Sequence, residues 1–499
     1  MFLLFVLKRI SSYLHKIFKR LKGEYLQDHY SYINITKYSF TYCIDRRIKI
    51  EKHEKISIKK LLEMANEPSR IAKKLHPFYR GKIEIIPKCR IEDFNDFSIW
   101  YSPGVAEACK DIFKKPELVY EYTNKWNSVA VVSDGTRVLG LGNIGPEAGI
   151  PVMEGKALLY KYLGGVDAYP ICLDTVDEKE IIRTVKILQP SFGGVNLEDI
   201  EQPKCFPVLD TLRKECHIPV WHDDQQGTAL VTLAGLINAL KVVAKKIDKV
   251  KIAMVGAGAA NICICKLLSL YGANPANIIL VDLNGIINKD RNDLTPHSER
   301  WKLAMNTNIN NLDGGIKEAM ENADVVIALS TPGPDIIKKE WIRLMAKDSI
   351  VFTCANPIPE IWPWEAKEAG AAVVATGRSD FPNQVNNSLG FPGIFRGVLD
   401  VRASTITDTM CIAAAIELAS CIADNEIRSD KILPNMDDWE IFPKIAAAIG
   451  VRAIKENVAC KELSYDEIFN DAKVIIKRSR AITKTMMEKG YIKSAKDKI

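Results

Sequence analysis

The sequence predicts a two-part α/β fold: an N-terminal α/β domain, a doubly wound, Rossmann-type sheet after it, and a helical C-terminal tail. Three observations predict it. Lys251-Ile252-Ala253-Met254-Val255 reads as a fully buried strand, followed by the turn Gly256-Ala257-Gly258, an apolar helix over 262–270, and a second strand, Ile278–Asp282, that ends in an acid; a βαβ nucleotide unit has this order. Upstream, Val220-Trp221-His222 delivers two adjacent carboxylates, Asp223 and Asp224, to the start of a long apolar-periodic segment, and Glu198-Asp199 follows the turn-rich Gln189–Gly194 in the same way. Downstream, the apolar runs 324–329, 349–354 and 372–375 each end in a loop of turn-formers, as parallel strands alternating with helices do. These signals divide the chain into a basic extension (1–60), an N-terminal domain (61–236), a nucleotide-binding domain (237–420) and a C-terminal helical segment (421–499).

Composition agrees with a globular chain. With 499 residues, 47% of them hydrophobic and 26% charged, two or three domains can each bury a full core. The net charge of +6 hides an asymmetry: residues 1–90 carry 21 Lys and Arg against 8 Asp and Glu, and the other 409 carry 47 against 54. The body is therefore mildly acidic, and the charge gives no reason to expect a nucleic-acid partner. The 12 cysteines have no paired metal spacing and read as reduced thiols of a cytoplasmic protein.

Met1–Leu7 is apolar but far too short to span a bilayer, and residues 8–22 carry six Lys and Arg and no acid, with Ile10, Leu14, Ile17, Phe18 and Leu21 at helical spacing. A basic amphipathic helix follows. It reads as an organelle presequence of mitochondrial type, as a membrane-surface or partner helix, or as a plain surface helix. Helical periodicity starts again at Ser57, where the body begins. From Phe97 to Leu173 the alternation of turn-formers and apolar runs predicts strands joined by functional loops. Tyr101 stands before a Pro-Gly turn and a helix, and a lone tyrosine there is usually a core or rim residue. Val129–Val132 is a buried strand ending in a hairpin-type Asp134-Gly135, with Arg137 beyond it as a fork for a carboxylate or as a surface residue. After the glycine-dense loop 140–151, Lys156 opens a helix, where its charge opposes the dipole; a pKa depressed for base chemistry is one reason for it. The pairs Glu198-Asp199 and Asp223-Asp224 either cap helices or, from neighbouring strand ends, cage a hard divalent cation.

In the nucleotide half, Gly256 and Gly258 form the tight turn, and Ala259 and Ala260 open the helix. Asn261 replaces the usual small residue at some cost in helix–strand packing. Asp282 stands where an acid accepts the adenosine ribose 2′-hydroxyl, or it caps the following turn. Residues 283–287 supply no Lys or Arg, Lys289 being the nearest cation, so a preference for NAD over NADP is predicted. Asn356, in the loop after the second of these later strands, is a candidate ligand contact or a turn-former. The segment from Cys411, with Ala413–Ala419 helix-prone and apolar, is expected to pack back on the body.

Tyr101-Ser102-Pro103-Gly104-Val105-Ala106, Ser133–Gly142, Met153-Glu154-Gly155-Lys156-Ala157, Glu198-Asp199, His222-Asp223-Asp224-Gln225 and Gly390-Phe391-Pro392-Gly393-Ile394-Phe395-Arg396-Gly397 together resemble the malic enzymes, the shorter bacterial and archaeal type, from about Tyr79 to about Ser420. The resemblance implies oxidative decarboxylation of (S)-malate to pyruvate and carbon dioxide with NAD or NADP and Mg²⁺ or Mn²⁺, and decarboxylation of oxaloacetate. It implies Glu198, Asp199 and Asp224 as metal ligands, Arg137, Asn356 and Asn387 as substrate contacts, and Asn356 beside the cofactor as well. Lys156 becomes the general base, Asp223 the acid that tunes it, and Tyr101 the acid that protonates the enol. A homo-oligomer, dimer or larger, is expected. Release of lactate instead of pyruvate and a non-catalytic binding role are the alternatives.

Overall fold

The computed structural model describes residues 58–498; the basic helix expected within 1–57, with its organelle and membrane readings, lies outside the described residues. Helix α1 (Ile58–Tyr79) starts where the periodicity resumes. The strands expected between Phe97 and Ser128 are absent. That stretch is helical: α2 (Val105–Lys114) is the helix expected after the Pro103-Gly104 turn, and the remaining apolar residues lack the alternation a strand needs.

Strands β1 (Ser128–Ser133), β2 (Asp167–Cys172), β3 (Gly194–Leu197) and β4 (Val220–His222) form a four-stranded parallel sheet in the order β2-β1-β3-β4. Since β1 is paired in parallel on both sides, Asp134-Gly135 does not close a hairpin; it opens the long glycine-rich loop that ends at Gly145. Helices α3 (Pro146–Gly164), α4 (Glu178–Leu188) and α5 (Cys205–Glu215) make the crossovers, which parallel strands require. The period of two along β1 sorts its side chains: Ala130 and Val132 pack with Ile181, Val185, Val208 and Leu212 of α4 and α5, while Val129 and Val131 face the other way.

Helix α6 (Thr228–Val242) carries the chain from the first sheet to the second and is buried along most of its length. The second sheet contains β5 (Ile252–Val255), β6 (Ile278–Asp282), β7 (Gly285–Ile286), β8 (Val325–Ala328), β9 (Ile350–Thr353) and β10 (Val373–Thr376) in the order β10-β9-β8-β5-β6-β7, parallel except for β7. Its strands are short buried runs of Val, Ile and Ala, as sheets covered on both faces demand. Helix α7 (Ala259–Tyr271) links β5 to β6.

One apolar core joins both sheets through α6 and the C-terminal helices α8 (Phe391–Asp400), α9 (Asp408–Ser420), α10 (Ile441–Lys455) and α11 (Tyr465–Glu488). Ile468, Ala472 and Ile476 of α11 lie in the same core as Ala157 and Tyr160 of α3, so the tail packs on the body. Among the described residues no helix is long and apolar enough to cross a membrane.

Candidate active site

Strands β3 and β4 are neighbours in register, Leu197 beside His222, so the acids that follow them emerge side by side at the carboxyl end of the sheet. Between β4 and α6 the chain makes a π-helical turn, Asp223–Gly227, a wide turn that recurs at functional sites. It sends its two acids to different partners. Asp223, fully buried, takes the Trp221 indole N–H at 2.9 Å on one oxygen and the Lys156 ammonium on the other. Asp224 accepts the backbone N–H of Asp199 at 3.0 Å. Neither carboxylate caps α6.

Glu198, Asp199 and Asp224 each place a carboxylate oxygen within 4.8 Å of the others. Asp199 adopts a left-handed backbone, φ +55°, unusual outside glycine and costly enough to mark functional positions. Its Oδ2 is buried with no hydrogen-bond partner. Burial, then the charge of Asp224, push the Asp199 carboxyl up to about 8; burial also raises Glu198 well above the carboxylate range, only partly offset by Lys156. Three converging carboxylates with an orphaned oxygen lack positive charge, and a hard divalent cation supplies it through oxygen ligands. These residues fit Mg²⁺ or Mn²⁺.

Lys156 is 7% exposed, 2.8 Å from Glu198 Oε1, and sits 4.3 Å from the centre of the Phe391 ring. It lies in the middle of α3, not at its start, because the glycine-rich loop ends earlier and Pro146 takes the first helical position. The dipole argument therefore falls away, and so does a depressed pKa: burial opposes its charge, but Asp223 and Glu198 outweigh burial and raise the ammonium above its ordinary value.

Supporting side chains were not anticipated from sequence. Asn196 donates through Nδ2 to Glu198 Oε2 at 2.8 Å and accepts the Tyr160 hydroxyl on Oδ1 at 2.7 Å. Asn196 and Trp221 each stand two residues before the acid they hold, and that spacing on a strand was the available signal. His222 is fully buried, its ring nitrogens without hydrogen-bond partners and Nδ1 3.6 Å from Asp224 Oδ2; burial lowers its pKa.

The glycine-rich loop lies against the cage, with the Arg137 backbone N–H donating to the Asp199 carbonyl at 2.9 Å and the Arg137 side chain exposed. A Cβ on Gly227 would stand 2.1 Å from Asp223 Oδ1 and 3.2 Å from Asn387 Cβ, which places Asn387 beside Asp223. Asn356 lies between the two halves: Cβ atoms at Gly140 and Gly377 would come within 2.6 Å of its carbonyl oxygen and 2.8 Å of its Nδ2. Tyr101 is the exception. It is 76% exposed and is not brought together with Lys156 in this chain.

At the nucleotide turn, Gly256 has φ +96° and a Cβ there would strike the Leu329 carbonyl at 2.5 Å, so only glycine fits. Around Gly258 a Cβ would meet open space, and Ala259 and Ala260 begin α7 with no side-chain cap. Free N–H groups at an open helix start suit a pyrophosphate. Asn261, buried, donates to the carbonyls of Val255 at 2.9 Å and Gly256 at 2.8 Å; it ties the turn to the strand instead of loosening it. Glu360, also unanticipated, joins the loops after β8 and β9 by accepting from Ser330 N at 2.8 Å and Ala355 N at 3.2 Å. Asp282 accepts the Asn284 N–H at 2.9 Å, the turn-capping reading, and is also forked by Arg291, a cation nearer in space than Lys289.

A nucleotide-binding sheet joined through one helix to a carboxylate cage and a buried lysine is the build of an oxidoreductase that works with a metal ion. Comparison with known proteins gives the family. Residues 80–180 match the malic enzyme N-terminal domain and residues 225–457 the malic enzyme NAD-binding domain. The chain is 50% identical over 398 residues to the bifunctional malic/malolactic enzyme of Bacillus subtilis, covering 79% of this chain and 95% of that one. It is 49% identical over 382 residues to the NAD-dependent malic enzyme of Geobacillus stearothermophilus, covering 77% and 78%. The crystal structure of the Entamoeba histolytica malic enzyme superposes with a TM-score of 0.86 at 46% identity, over 88% of this chain and 93% of that one. Other relatives are named NADP-dependent malic enzymes. This chain belongs to the malic enzyme family.

Proposed function

We propose that this chain oxidatively decarboxylates (S)-malate to pyruvate and carbon dioxide with reduction of NAD or NADP, and also decarboxylates oxaloacetate. The observation that carries the reading is the buried Lys156, held between Glu198 and Asp223 beside the three-carboxylate cage. Glu198, Asp199 and Asp224 hold Mg²⁺ or Mn²⁺. The cation, when bound, supplies Lewis acidity to the substrate oxygens.

Lys156 takes the malate hydroxyl proton as hydride leaves C2. Asp223 and Glu198 raise its pKa above the ordinary value, so Lys156 must pass on its resting proton before it accepts one from substrate, and Asp223 keeps the nitrogen aligned. Arg137 forks a substrate carboxylate, and Asn387 and Asn356 orient substrate and cofactor. Tyr101 protonates the enol carbon after carbon dioxide leaves. Its exposure in this chain, next to Phe94, Phe97, Ile99 and Trp100, which are 86%, 48%, 58% and 51% exposed, supports a homo-oligomer, dimer or larger, in which this apolar segment packs on a second copy and carries Tyr101 to that copy's site. The free thiols among the described residues favour a cytoplasmic compartment.

Initial rates with malate, Mn²⁺ and either cofactor test the reading: NADH or NADPH must appear with pyruvate. Release of lactate is the second reading, favoured by the malolactic activity in the Bacillus subtilis relative's name. Product analysis separates the two.

A further inference from the structure

The carboxylate that ends β6 is not the bare acid its position suggests. Asp282, 5% exposed in its side chain, receives Arg291 Nη1 on Oδ1 at 2.7 Å and Nη2 on Oδ2 at 3.1 Å, and the Asn284 N–H also occupies Oδ1. Arg291 is shared, since its Nε donates to Asp293 Oδ1 at 2.7 Å. One guanidinium between two carboxylates leaves this group one formal negative charge.

Arg300 supplies the balance. Its Nη1 lies 3.7 Å from Asp282 Oδ2, and its Nε is 3.3 Å from the carbonyl of Ala257, the middle residue of the Gly256-Ala257-Gly258 turn. It therefore bridges the two places a dinucleotide touches in such a sheet, the pyrophosphate turn and the acid at the end of the second strand. Its side chain is 40% exposed against 10% for Arg291. Arg291 is spent on carboxylates. Arg300 keeps donors to spare, at the rim, where the adenosine ribose comes.

A 2′-phosphate entering here meets a group that is neutral with Arg300 and negative without it. A planar guanidinium also offers two parallel donors to phosphate oxygens. We infer that Arg300 is the specificity-determining residue through which this chain accepts NADP as well as NAD, because it offsets the negative charge that Arg291, shared between Asp282 and Asp293, leaves in place. The preference for NAD expected from Asp282 rested on an uncompensated acid, and the geometry removes that premise. The inference rests on the proposed function for the place of the nucleotide.

Two half-cofactors that cannot react test it on the full chain: adenosine 2′,5′-bisphosphate and 5′-AMP, titrated calorimetrically. The expected result is that Arg300→Gln lowers the ratio of bisphosphate to AMP affinity about tenfold, equal to about 1.4 kcal/mol, and that Arg300→Lys restores part of it, with the NADP-to-NAD ratio of kcat/KM moving the same way. An affinity ratio unchanged by Arg300→Gln, with AMP still bound, overturns the role of Arg300 alone. Failure of either nucleotide to bind the unaltered chain overturns the nucleotide site itself, and the inference with it.

Discussion

The acids after β3 and β4 and the acid after β6 occupy equivalent places, each at the carboxyl end of a buried parallel strand, yet their electrostatics are opposite. Asp282 is answered by the chain's own Arg291 and Arg300. Of Glu198, Asp199 and Asp224, Glu198 is the one paired with Lys156, which Asp223 also claims, and burial with mutual repulsion raises the pKa of Glu198 and Asp199. The difference teaches where a ligand must bring charge: the first cluster needs a cation, whereas the second, balanced by its own arginines, only tolerates an anion.

The largest expected effect breaks the comparison at the cage. Excess EDTA should abolish malate oxidation and Mn²⁺ or Mg²⁺ should restore it, because the carboxylates cannot hold substrate oxygens without the ion between them. Full turnover in EDTA would sink the metal assignment. Asp224→Ala, with one protein ligand gone, should sharply raise the metal concentration needed for half-maximal rate.

Next comes the lysine. Lys156→Ala should lower kcat for malate oxidation by roughly 10²–10⁴-fold, read as NADH formation on protein whose circular dichroism is unchanged. Tyr101→Phe should spare hydride transfer and slow the late protonation. If Tyr101 serves a second copy, Lys156→Ala and Tyr101→Phe chains, dissociated and reassembled together, regain activity that neither has alone. A mixture no more active than its parts would place both residues in one chain's site.

How much of this was legible follows from the range of each signal. The βαβ turn, the buried strands and the paired acids depend on neighbours a few residues apart, and they were readable. Lys156 was misplaced to a helix start because Gly149 and Pro151 look like loop residues, although α3 runs through both. Its charge state was misjudged too, since Glu198 and Asp223 reach it from positions 42 and 67 residues away. Arg291 and Arg300 lie beyond Lys289 in sequence and reach Asp282 only because the loop after β7 turns back on it. Apart from α2, the helices between Phe97 and Ser128 read as strands because their turn-formers separate short helices.

A smaller effect sharpens the electrostatic contrast by pH. Asp199 has its folded pKa raised to about 8, above the unfolded carboxyl at about 4. Its contribution to stability in the metal-free protein is therefore full below about pH 4 and is lost as pH rises through about 8. Thermal melts without metal should fall from pH 6 to pH 8.5, and Mn²⁺ should flatten that fall because it favours the ionised carboxylates. Melting temperatures that stay level without metal across this range would contradict the raised Asp199.

The smallest effect concerns the neutral donors that hold the acids in place. Trp221 is fully buried and gives Asp223 Oδ1 an N–H at 2.9 Å, while the other Asp223 oxygen holds Lys156. Trp221→Phe keeps an aromatic ring but leaves that oxygen without its donor, a loss of about 1–3 kcal/mol, to which the smaller ring adds a cavity. Were Trp221 only packing, the melting temperature would drop and kcat would stay. As a donor that aligns Asp223, it should lower kcat as well, by about tenfold and well short of the Lys156→Ala loss, with KM for malate little changed because Arg137 and the metal ligands are untouched. Measuring melting temperature, kcat and KM on one preparation decides the matter, and an unaltered kcat alongside a lowered melting temperature would reduce Trp221 to core.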